Sequence, residues 1–367
     1  MTPALTAKQS VLAATALCGE LSPLALARLI PSQSYRYHVA EELAQAKLLR
    51  TYRKDRVKGY RLTRRAKELL AGQQPERYAA LFTGSVRTNS YPSELSRRLR
   101  MHRLGETLTM MQLCGVRIFA DERPAVFAGC SLEPDALPAF YPAREVQALG
   151  DAAIKIKNAR MAGVLLTPEH FYLVYNTGGA LMRWTPASEL RARTLLSEYL
   201  GRRLGWEAYA GQSARALLLG ESMTLFPALL QSRGSGKRQL FYLDGTFEHL
   251  HYLPQSPQGD AVLRLLLHPK ADPALRRAMT QTFLPKQTLG NFAYDALDES
   301  GRPVLFAWDY DLVRIQSFAL GLGSRGSQGL FVAFDFQTEA LRRYCGSRAE
   351  VRPLSLAKTE RIFLHGS

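Results

Sequence analysis

Start and stop signals crowd the first 72 residues so closely that only small domains of short helices and a hairpin accommodate them. Helical spacing over residues 6–18 puts Val11, Leu12, Thr15 and Leu17 on one side, and Gly19 ends the run. Ser22 caps a second, short helix over residues 23–30, with Pro23 at the first position, where a missing N–H costs nothing. Pro31 ends it, and Ser32 opens a third helix reaching about Leu49, with Tyr35, Val39, Leu43 and Ala46 as its expected buried face. Two strands follow, residues 50–53 and 59–62, joined by a turn through residues 54–58. A helix over residues 64–71 stops at Gly72.

Charge is concentrated in the same region. The 367-residue chain has 48 Lys+Arg against 32 Asp+Glu, a net of +16, and a pI near 9.9. Residues 1–104 hold 19 of the bases and 7 of the acids, a net of +12. Between Arg50 and Lys67, nine basic residues face a single acid, Asp55. So uneven a run repels itself and favours an anionic partner.

Helix, short helix, longer helix and basic hairpin form the order of a winged helix-turn-helix. Tyr60-Arg61-Leu62-Thr63 followed by a helix resembles the YxLT segment of MarR- and PadR-type regulators, with Ala66 where those families commonly carry Gly. That resemblance implies a third helix docked in the major groove of duplex DNA and a hairpin on the backbone. The expected base-facing residues are Gln33, Ser34, Arg36, Tyr37 and His38. Arg and Gln suit bidentate contacts to guanine and adenine edges. Arg53, Lys54, Arg56, Lys58 and Arg61 on the hairpin are the expected phosphate contacts.

Residues 73–92 are polar and read as a linker. A long helix then opens at Ser93, with Leu95, Leu99, Leu104, Leu108 and Met111 as its apolar stripe and Arg97, Arg98, Arg100 and Arg103 facing out. Strands are expected over residues 116–119, 163–166, 171–175, 216–219, 239–243 and 249–253, and helices over 187–203, 223–230 and 273–283. A C-terminal set alternates strand 304–308, helix 312–320, strand 330–334, helix 338–344 and strand 350–354. Alternation of this kind argues for an α/β class, α+β overall once the N-terminal helices are counted. The expected division is 1–72, linker 73–92, a core over 93–270 and a C-terminal α/β segment over 271–367.

Catalytic signatures are scarce. Cys18, Cys114, Cys130 and Cys345 form no CxxC pair, which excludes a zinc ribbon and fits a reducing cytoplasm. No apolar run reaches membrane-spanning length, and the short apolar stretch after Lys8 continues with helical spacing past Leu24, so no membrane partner is expected. Arg233-Gly-Ser-Gly-Lys237-Arg238 fails the Walker A pattern at Gln231 and Arg238. His249 and His251 alternate onto one strand face without a neighbouring acidic or cysteine cluster. Asp309 and Asp311 end a strand and begin a helix, resembling the DxD of Toprim enzymes, and Asp335 ends the next strand. Helix capping is the plainer role for Asp311 and Asp335.

The winged helix, an arginine-flanked helix containing His102-Arg103-Leu104 and an α/β core together resemble the replication–relaxation family of plasmids and conjugative elements. The resemblance covers about residues 5–205. It implies a DNA-binding protein that assists or regulates replication, transfer or transcription, joined to a restriction-endonuclease-like core. In Met161-Ala-Gly-Val-Leu165 and Val174-Tyr-Asn-Thr-Gly-Gly179, the positions of the family's metal-holding carboxylates fall on Ala162, Val174 and Asn176. None supplies an anionic oxygen for magnesium. The expected core is therefore degenerate, with no catalytic residue, metal or cofactor. Double-stranded DNA is the expected partner, and a homodimer and replication or transfer proteins are left open. Two alternatives stand beside this reading: a metal-dependent nucleic-acid enzyme using Asp309, Asp311 and Asp335, and a winged-helix protein-interaction module.

Overall fold

A computed structural model describes residues 5–86, 91–128, 137–146, 156, 159–204, 215–234, 239–286 and 292–364. The chain forms two compact units, Met1–Ala125 with Asp135–Phe140, and Val126–Pro134 with Tyr141–Ser367. The structure is mixed α/β.

In the first unit, α1 (Ala7–Cys18) begins at a reciprocal cap between Thr6 and Gln9 and ends at Gly19, whose φ of 85° few other residues tolerate. Ser22 caps α2 (Pro23–Leu29), and Ser32 caps α3 (Gln33–Gln45). The hairpin β1 (Leu49–Lys54) and β2 (Val57–Leu62) pairs Leu49 with Leu62 and Arg53 with Lys58. Asp55 and Arg56 both carry positive φ, the geometry of a two-residue turn matched to strand twist. Leu21 exchanges two backbone hydrogen bonds with Tyr60, adding a third short extended segment to the hairpin. Thr63 then caps α4 (Arg64–Gln73), which is followed by the single turn α5 (Pro75–Tyr78).

The helix α6 (Leu95–Leu113) belongs to this unit and packs on α1 and α2, although the sequence placed it with the following core. Gly105 permits the approach: a Cβ there would lie 3.1 Å from the Cys18 sulfur. The helix also turns an unexpected face inward. Leu95 and Leu99 are exposed, whereas Arg98 and His102 are buried. On α3, Val39 and Leu43 are buried as expected, but Tyr35 and Ala46 are exposed. The expected strand at 116–119 makes only one bridge, Arg117 with Ala139.

The second unit holds two sheets. In the first, β3 (Ala139–Pro142), which enters the second unit at Tyr141, β4 (Gly163–Leu166), β5 (Phe171–Gly178), β6 (Arg215–Gly220) and β7 (His249–Pro254) lie in sequence order, with β5, β6 and β7 parallel. Between them run α7 (Ala143–Val146), α8 (Pro186–Leu204) and α9 (Phe226–Gln231). The expected strand at 239–243 is reduced to isolated bridges by Leu240 and Tyr242. After α10 (Pro257–Leu267) and α11 (Ala271–Thr280), neither sheet is interrupted at the expected 270/271 boundary. The second sheet has β8 (Leu284–Pro285) and β9 (Ala296–Leu297) antiparallel to β10 (Pro303–Phe306). Beyond α12 (Leu312–Arg325) and α13 (Thr338–Cys345), β11 (Gly329–Phe334) and β12 (Ala349–Leu354) continue it in parallel. The last helix, α14 (Leu356–Leu364), packs on α10. Among the described residues no helix is long and apolar enough to cross a membrane.

Candidate nucleic-acid interface

The cations of the first unit divide into two populations. One surrounds Glu20, the only acid among residues 1–40, which is fully buried between α1 and α2. Arg61 reaches Glu20 Oε2 with Nε and Nη2 at 2.7 and 2.6 Å. Arg98 places Nη2 at 2.7 Å from Oε1, and His102 Nε2 lies 2.8 Å from the same oxygen. Burial alone would raise the Glu20 pKa. Hydrogen bonds from His102, Arg98 and Arg61 outweigh it and hold the carboxyl at about 2.

This network carries the hairpin. Arg98 also donates to the carbonyls of Lys54 and Val57, at 2.7 and 3.0 Å, on both sides of the tight turn. Its guanidinium and that of Arg61 stack on Tyr52, with centroid distances of 4.7 and 3.7 Å. Gly59 is required by proximity, because a Cβ there would stand 2.2 Å from Glu20 Oε1. Arg61 is therefore a correction to the expected phosphate contacts: it is 2% exposed and holds the hairpin from beneath. Lys67 is likewise buried, donates to the Val86 carbonyl and sits over the Tyr91 ring. Burial, assisted by Arg50, lowers its pKa to about 8.

The second population faces outward. Arg53, Lys54 and Arg56 are exposed and Lys58 is half-buried, and among the described residues none of the four has a carboxylate partner. Lys54 Nζ touches only the Ser93 hydroxyl, at 3.4 Å. On α3, Gln33, Ser34, Tyr37 and His38 are exposed, Tyr37 at 72%. His38 lies 3.5 Å from Glu42, and Arg36 is half-buried with Nη1 on the Ile30 carbonyl at 3.1 Å. Gln33, Arg36, Tyr37, Arg50 and Lys58 line a common groove of about 370 Å³ between α3 and the hairpin. Of the expected contacts the groove brings together Gln33, Arg36, Tyr37 and Lys58; Arg53, Lys54 and Arg56 lie towards the hairpin tip outside it, and Arg61 is buried beneath.

The acidic residues singled out in the second unit do not assemble. Asp309 pairs with Arg276 at 2.7 Å. Asp311 caps α12 through the amides of Val313 and Arg314 and accepts from His249 at 2.6 Å. Burial opposes ionisation of Asp311, but the His249 hydrogen bond, the nearby His251 and the Leu250 amide lower its pKa. Asp335 is exposed and accepts from the next amide, Phe336. Among the described residues, no three His, Cys, Asp or Glu side chains come together as metal ligands.

Ala162, immediately before β4, donates its amide to the Val174 carbonyl on β5. Asn176 uses its side-chain oxygen on the Gly178 amide. Lys237 and Arg238, and Cys130, lie outside the described residues. What sequence reasoning missed is the pairing of His249 with Asp311, 62 positions away, and the Glu20 network. The isolated acid at Glu20 inside an apolar segment was the available signal for the latter. Compared with protein-family models, curated proteins and solved structures, the chain has no match.

Proposed function

We propose that the first unit is a winged helix-turn-helix that binds duplex DNA with sequence preference, in a protein assisting or regulating replication or transfer of a mobile element. The observation carrying this reading is the division of the cations. Arg61 is neutralised beneath the hairpin by the buried Glu20, whereas Lys58 and Arg50 line a groove with the exposed face of α3 and Arg53, Lys54 and Arg56 stand exposed towards the hairpin tip. Unpaired cations at that density repel one another, and duplex phosphates relieve the repulsion.

In this reading α3 enters the major groove with Gln33, Arg36 and Tyr37 towards base edges, and Arg53, Lys54, Arg56 and Lys58 lie along phosphates. Binding releases the Arg36 guanidinium from the Ile30 carbonyl to a base. The second unit serves as a platform joined to this module. The test is Arg36→Ala in fluorescence anisotropy, on a selected site and on random duplex. A loss of about 1–3 kcal/mol on the selected site and much less on random duplex is expected. Equal losses on both would reduce Arg36 to a phosphate contact.

A further inference from the structure

The second unit contains a cavity of about 260 Å³ walled by the start of β6, both histidines of β7, α11 and the turn leading into α12. Tyr172, Arg215 and His249 stand in one row across β5, β6 and β7, and His251 follows two residues on along the same face. The two imidazoles are nearly parallel, with ring centroids 6.3 Å apart.

Charge in the wall is matched group by group, with one exception. Arg276 lies between Asp272 and Asp309 at 2.8 and 2.7 Å, Arg314 pairs with Asp295 at 2.6 Å, and His249 pairs with Asp311. Arg215 has no carboxylate partner among the described residues. It touches the Tyr172 hydroxyl at 3.5 Å, and its buried Nε has no hydrogen-bond partner among the described residues.

His251 carries the second unmatched atom. It is 3% exposed, and its Nδ1 lies 3.1 Å from the Asp309 carbonyl oxygen. A carbonyl oxygen only accepts, so Nδ1 bears a proton, which in the neutral tautomer leaves the lone pair on Nε2. That Nε2 has no partner among the described residues, and the ring is otherwise packed edge-on to Tyr172. Buried polar atoms are expensive to leave unsatisfied.

We infer that this cavity binds a phosphate group bearing an ionisable P–OH, as free phosphate or a phosphate monoester. The Arg215 Nε–H donates to a phosphate oxygen, and the P–OH donates to His251 Nε2. A fully ionised oxyanion satisfies Arg215 but has no proton for His251, and a backbone phosphodiester has none either. The site is thus chemically distinct from a DNA interface and does not depend on the reading of the first unit. Its volume suits a phosphate with a small substituent rather than a drug-sized ligand.

The experiment is calorimetric titration of the full chain at neutral pH with inorganic phosphate, with sulfate, and with methyl phosphate. Saturable phosphate binding at one site per chain is expected, with sulfate weaker by about tenfold for the lost hydrogen bond. Tighter binding of methyl phosphate assigns the site to an ester, and equal or weaker binding assigns it to the free ion. Arg215→Gln should abolish binding, and His251→Phe should bring phosphate down to the affinity of sulfate. If neither variant folds, the phosphate-to-sulfate ratio of the unaltered protein decides. Absence of saturable phosphate binding, or equal affinity for sulfate, overturns the inference.

Discussion

Two charged clusters, one in each unit, use the same residue types and are finished differently. Around Glu20, both carboxylate oxygens are occupied, and the guanidinium groups of Arg61 and Arg98 end on that carboxylate and on backbone carbonyls. Around Arg215 and His251, a buried nitrogen on each side chain has no partner among the described residues. A cluster whose donors and acceptors close on one another holds a fold together. One that keeps an unmatched donor beside an unmatched acceptor is suited to receive something. The hairpin cations extend the lesson to the surface, since Arg61 belongs to the closed kind and Arg53 and Arg56 to the open kind.

The comparison can be broken most directly at its closed end. Glu20→Ala leaves two guanidinium groups buried without their carboxylate, so the first unit should lose about 3–5 kcal/mol in urea unfolding. A loss below about 1 kcal/mol would mean the network is not what holds the hairpin.

Acid tests the same cluster without substitution. The folded Glu20 pKa, about 2, lies below its ordinary value of 4.5, so the folded state favours the carboxylate. Its stabilisation, about 3 kcal/mol by linkage, is fully present above pH 4.5 and lost as pH falls towards 2. Unfolding midpoints recorded across that window should show this slope in the unaltered protein and not in Glu20→Gln.

At the open end, Arg215→Gln should change stability by less than about 1 kcal/mol, because no carboxylate depends on it. A loss as large as that of Glu20→Ala would show the two clusters to be of one kind.

The order of elements in the first 72 residues was legible because caps, Pro and Gly act locally. Ser22, Ser32 and Gly19 each begin or end the helix expected of them, whereas α4 runs through Gly72, its expected stop, to Gln73. The inward face of α6 was not legible, because Arg98 and His102 are buried only by virtue of Glu20, some eighty residues earlier. A hydrophobic stripe through Leu95 and Leu99 looks right until that carboxylate is placed. The same holds for His249, whose alternation with His251 was visible but whose Asp311 partner arrives from the cap of α12, 62 residues later. Helix α10, which pairs a Ser256 cap with Pro257 and a buried run from Ala261 to Leu263, was readable by the local rules and was not predicted.

In the proposed function, the cations left outside the Glu20 network bind duplex phosphates. The most direct test is the salt dependence of duplex DNA affinity for the unaltered protein and for the combined variant Arg53→Gln, Lys54→Gln and Arg56→Gln. About six phosphate contacts predict a slope of log K against log salt near −5, flattened by up to about 3 in the variant, with weakening on every sequence. A slope unchanged by the three substitutions would remove the hairpin from the interface and contradict the account.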